Sequence, residues 1–202
     1  MKYIITYCMG ILLLLSGCSV DRLAILIRQY KSGELMTEKT EKLERKFISA
    51  KEQFAADKNK IMLVLYIEAL TYEKRKNYTA ALNIFNQITN LNDSILDVWL
   101  HIAQINHLLN NTCKAREAYL TCSKLIDREV AYIEKSQWPD NHILTDDHIK
   151  YAIRYSMIDN SYLPTNSSTK NGKEIDWADI KKNLLLLKAT IKNSIKQLKI
   201  LE

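Results

Sequence analysis

Residues 62–95 read MLVLYIEALTYEKRKNYTAALNIFNQITNLNDSI, and residues 96–128 read LDVWLHIAQINHLLNNTCKAREAYLTCSKLIDR. Shifted by 34 residues, Leu65 meets Trp99, Ala69 meets Ala103, Ala81 meets Ala115, Phe85 meets Tyr119, Leu91 meets Leu125 and Asp93 meets Asp127. A fixed period of this kind predicts one supersecondary unit used twice. A polar stretch divides each copy, Arg75-Lys76-Asn77 in the first and Asn110-Asn111-Thr112 in the second. Each copy thus reads as helix, turn, helix. Alanine at the crossing lets two helices approach closely, and Tyr72, Tyr78, Phe85, Trp99 and Tyr119 fill the gaps between neighbouring hairpins. One hairpin cannot bury its own apolar face, so the two are expected to stack.

Composition agrees. The chain has 202 residues, 47% apolar and 26% charged, enough for one ordinary domain or two small ones with a real core. Of its 4 Gly and 2 Pro, none falls between residues 34 and 138, which favours helices over sheets. The expected class is all-α. The net charge of +6 is spread along the chain, with no basic run that would indicate nucleic acid.

Tyr78-x-x-Ala81-x-x-x-Phe85 and Trp99-x-x-Ile102-Ala103 resemble the tetratricopeptide repeat family, whose unit is a helical hairpin of the same period. The likeness covers about residues 62–128. Ala69 and Ala103 stand where that family usually has glycine, and Asp93 and Asp127 where it usually has proline. The resemblance implies a short tetratricopeptide-like helical-hairpin solenoid occupying residues 36–158, with clear repeats at 62–95 and 96–128. Phe47-x-x-Ala50-x-x-x-Phe54 has the spacing of Tyr78-x-x-Ala81-x-x-x-Phe85, so residues 36–57 read either as a degenerate earlier unit or as one amphipathic helix leaning on the first hairpin. In the resembled family the first helices line an inner groove. Carried onto this chain, that groove comprises Leu63, Tyr66, Leu70, Glu73 and Lys74, then Asp97, Leu100, Gln104, His107 and Leu108, a mix suited to an extended or helical peptide. The alternative is that residues 23–30 or the C-terminal helix cover it.

The N-terminus carries an address. Met1-Lys2 precedes an apolar run at 3–15, shorter than the roughly 20 residues a membrane-crossing helix needs. Leu15-Ser16-Gly17-Cys18 follows it directly and resembles the lipobox of bacterial lipoproteins. The resemblance implies a signal peptide at 1–17, acyl chains on Cys18, and a tether and N-terminal segment at 18–35. With Ser19, not aspartate, after the cysteine, it favours the outer membrane, facing the periplasm. Two or three acyl chains give stable anchoring. Cys113 and Cys122 remain. Nine residues apart on one helix, they lie on opposite sides and roughly 13 Å apart along the axis, too far for a disulfide. Cys122 falls on the apolar face and reads as a buried free thiol.

Pro139 is expected to end the array, Thr145-Asp146-Asp147 to cap a helix at 149–158, and residues 159–175 to form a linker. At 176–202, Trp177, Ile180, Leu184, Leu187, Ile191, Ile195 and Leu198 make one apolar stripe, opposed by Lys181, Lys182, Lys188, Lys192 and Lys196. This predicts a C-terminal amphipathic capping helix. A coiled-coil partner or an anionic membrane surface are other uses of such a helix.

The sequence holds no Gly-rich phosphate loop, Cys-x-x-Cys, His-Glu-x-x-His or Gly-x-Ser-x-Gly. His101 and His107, six residues apart, point to different sides. The expectation is a non-enzymatic protein without metal or cofactor: a lipid-anchored scaffold binding another envelope protein or peptide, in pilus, secretion-system or outer-membrane assembly. The alternative is a membrane-surface-binding or purely structural lipoprotein that uses its basic C-terminal helix.

Overall fold

A computed structural model of the protein describes residues 22–135 and 177–200. The signal segment, Cys18, the stop at Pro139, the helix at 149–158 and the linker at 159–175 lie outside the described residues, as do the side chains of Trp177 and Ile180. Eight helices make up the described part: α1 (Arg22–Ser32), α2 (Glu34–Thr37), α3 (Thr40–Gln53), α4 (Lys58–Lys74), α5 (Tyr78–Leu91), α6 (Leu96–Leu108), α7 (Thr112–Lys135) and α8 (Trp177–Ile200). No strand occurs among the described residues, and the described part is all-α.

Helix α4 pairs most extensively with α5, and α6 with α7, while α5 packs on α6 and α8 on α7. Ala69, Ala81, Ala103 and Ala115 are all fully buried, as close helix crossings require, and Phe85, Tyr72 and Tyr119 are buried beside them.

The two tight turns correspond bond for bond. In the first, the amide of Asn77 donates to the Tyr72 carbonyl (2.9 Å) and that of Lys76 to Glu73 (2.8 Å); in the second, Asn111 donates to Asn106 (2.8 Å) and Asn110 to His107 (3.0 Å). This is the Schellman closure of a helix C-terminus, which needs a left-handed residue at the turn. Lys76 (φ 60°) and Asn110 (φ 57°) supply it, also 34 residues apart. The residue that ends one helix then starts the next: the Asn77 side chain accepts from the Ala80 amide (3.3 Å) and caps α5.

Residues 36–57 are not one helix. The short α2 is entered through Gly33 at φ 81°, and α3 ends at Phe54; Phe47, Ala50 and Phe54 are buried. Asp57 caps α4 by accepting from the Asn59 and Lys60 amides, both at 3.1 Å, and those bonds, Lys60 first, hold its carboxyl below the usual range. Helix α1 packs on α4 and buries Leu23, Leu26 and Tyr30. Arg22 reaches from α1 to the Ser49 carbonyl of α3 (3.3 Å), and Lys46 donates back to Gln29 (3.2 Å).

Helix α4 therefore has neighbours on both sides. From Val64 to Tyr72 every side chain is buried. Helix α7 runs on to Lys135, past the end of the second repeat, because its last turns meet α8: Lys181 pairs with Glu134 (2.9 Å) and Lys188 with Asp127. Leu184, Ile191 and Leu198, seven residues apart, form the buried stripe of α8.

Candidate functional site

The first helices of the two hairpins, α4 and α6, share a face on which polar groups meet a small aromatic cluster. The His101 ring stacks on Phe85 of α5, with centroids 5.1 Å apart and planes within 8°. Tyr66 meets both rings edge-on, each at 6.1 Å. Its hydroxyl donates to the Asp97 carboxylate across to α6. His101 Nδ1 lies 2.8 Å from Glu73 Oε2, bridging α6 back to α4. Two polar links and one aromatic stack thus set the register of the hairpins.

The proposed groove residues do not all present themselves to a partner. Tyr66, Leu70 and Leu100 are buried and belong to the packing between helices. Glu73 and Asp97 are half-buried in the network just described. Lys74 is exposed but sits over the Tyr30 ring of α1, 4.2 Å from its centroid, so α1 occupies that end. Leu63 and His107 are half-buried, His107 edge-on to Tyr119 at 6.3 Å. Gln104 is exposed, and Leu108 is 64% exposed. The accessible part of the face is therefore the C-terminal half of α6, backed by a fixed network.

His101 had no signal in the sequence. Its partners Glu73 and Phe85 lie on other helices, and the 34-residue shift places it opposite Ile67, an apolar residue. His101 and His107 do point to different surroundings, as their spacing requires.

Elsewhere, Glu68 on α4 is buried and accepts from Lys51 of α3 at 3.0 and 3.2 Å. Burial raises its carboxyl above the usual range, and Lys51 offsets this only in part. Burial also pushes the Cys122 thiol up to about 12, while Cys113 is exposed; both are free. No group of His, Cys, Asp and Glu able to hold a metal occurs among the described residues, and none of their helices is long and apolar enough to cross a membrane. The chain matches no protein family, no curated protein and no solved structure. The site must be read from its own geometry.

Proposed function

We propose that the protein is a lipid-anchored scaffold of the cell envelope, held at the outer membrane through Cys18 and facing the periplasm, that binds another envelope protein through the exposed C-terminal half of α6. The observation that carries this reading is the recurrence, at 34 residues, of the same hydrogen-bonded turn between the same kind of helices. It supports a short tetratricopeptide-like solenoid, an architecture whose stacked first helices offer a continuous binding face. The packing of α8 on the last hairpin supports its reading as a cap. Leu15-Ser16-Gly17-Cys18 after the apolar run supports the anchor.

The chemistry of the face suits holding. Tyr66 is engaged with Asp97 and Glu73 with His101, and the accessible strip combines an amide, an imidazole edge and a leucine. Such a strip takes an amphipathic peptide segment. Anchoring raises the local concentration of the module near other envelope proteins, so a weak contact suffices. Pilus, secretion-channel and outer-membrane assembly are the settings this arrangement fits.

Replacing Cys18 by Ala should move the protein from the membrane to the soluble fraction, and an unchanged membrane fraction would reject the anchor. Gln104→Ala with Leu108→Glu, both exposed, should weaken partner capture without altering helicity. Capture at full strength would reject the face.

A further inference from the structure

We infer that the outward face of α8 docks on an anionic phospholipid bilayer. The helix has five lysines among residues 181–196, and the structure divides them into two groups. Lys181 and Lys188 turn toward α7 and pair with Glu134 and Asp127. Lys182, Lys192 and Lys196 are exposed. Between them lie Leu185 and Leu186, 46% and 59% exposed, and Ala189, also exposed. At 100° per residue these six positions span an arc of about 120°. None of the six is acidic.

The inward stripe of α8 supplies its core packing through Leu184, Ile191 and Leu198, and Leu185 and Leu186 stand outside that core. Exposed leucines flanked by lysines match a surface that is apolar below and negative above: lysine stems lie along the apolar layer while their ammonium groups reach the phosphates. An acidic protein would satisfy the lysines alike, but the tether favours the bilayer. If Cys18 is acylated, only three residues separate it from α1, a span of at most about 14 Å. The helical body then rides on the membrane without a stalk. This last step rests on the anchor reading; the docking itself is testable without a lipid on the protein.

The test uses the full chain with Cys8, Cys18 and Cys113 replaced by Ser and Ala189→Cys labelled with an environment-sensitive fluorophore, Cys122 being buried. Added to vesicles of phosphatidylcholine and phosphatidylglycerol in equal parts, the label should brighten and shift to the blue; on pure phosphatidylcholine it should not. Salt should reverse the change. Lys182→Gln, Lys192→Gln and Lys196→Gln together should weaken partition about a hundredfold, at roughly fivefold per lysine. Leu185→Ser with Leu186→Ser should also reduce it, and circular dichroism should confirm intact helices in both. A silent label on the mixed vesicles, an equal response on pure phosphatidylcholine, or an unchanged response in the lysine variant would overturn the inference. A response to polyglutamate with none to vesicles would overturn it in favour of a protein partner. Loss of the anchor reading would instead show as a mature chain without acyl mass, leaving the label's behaviour unaffected.

Discussion

Cys113 and Cys122 share α7 yet stand in opposite environments, one in water and one packed among apolar side chains with its Sγ 3.9 Å from the Leu96 carbonyl. Only the thiolate attacks an alkylating reagent, and a thiol pushed up to about 12 has almost none at mild pH. Iodoacetamide should modify Cys113 in the native protein and Cys122 only after denaturation, as peptide mass mapping would report; modification of both in the native state would contradict the packing. Glu68 makes a second prediction. Burial raises its folded carboxyl above the ordinary 4.5, so the folded chain holds this proton more tightly than the unfolded chain does. Its contribution to stability is fullest below pH 4.5 and is lost as pH rises through the folded value. Glu68→Gln removes that dependence. Its thermal midpoint, relative to the parent, should rise between pH 4.5 and 7, and a difference that stays flat would show that Glu68 is not desolvated. Glu38 works in the other direction: although burial alone would raise its carboxyl, Lys42 at 2.8 Å and Lys46 at 2.5 Å lower it, so its contribution is lost as pH falls below 4.5. The Glu68–Lys51 pair does not announce itself in the sequence, because the two residues lie 17 apart on different helices brought together by packing, whereas Glu38 and Lys42 are only four apart.

At the scale of elements, the hairpins were legible where a residue type has only one good use. Alanine at 69, 81, 103 and 115 marks a crossing, and the polar stretch at 75–77 marks the turn between helices. The turn geometry was less legible, since Lys76 is a poor choice for a left-handed position. A side chain there costs roughly 1–2 kcal/mol, partly repaid because lysine restricts the unfolded chain more than glycine does. Lys76→Gly should therefore stabilise the protein by about 0.5–1 kcal/mol, and Asn110→Gly by less, because asparagine tolerates this conformation. Urea unfolding with an unchanged slope measures both; a loss of stability in Lys76→Gly would contradict the Schellman closure. Helix α2 was missed altogether: four residues leave no periodicity to read. The stripe on α8 was visible, but which of its lysines face α7 depends on where α7's acids lie. Ile191→Ala, which empties the middle of that stripe, should cost about 2–5 kcal/mol by chemical denaturation.

For the molecule as a whole, α4 is the pivot. Its apolar residues are spread round the helix and not confined to one stripe, and the structure packs it between α1 and α3 on one side and α5 on the other. That is why Tyr66 and Leu70 serve packing where the family resemblance would have them meet a partner: a first helix flanked on both sides has little face left. Hydrogen exchange should find the amides of α4 the slowest and those of α1 and α8 among the fastest, because local opening follows the number of neighbours that must be lost. Faster exchange in α4 than in α8 would contradict this arrangement. The proposed scaffold role requires that the exposed half of α6 hold a partner. A photo-cross-linking amino acid placed in turn at Gln104, Leu108 and, on the exposed side of α5, Gln87 tests this inside the cell. The prediction is one envelope protein joined to the first two positions and absent from the third; no adduct at 104 and 108, or the same adducts at 87, would contradict it.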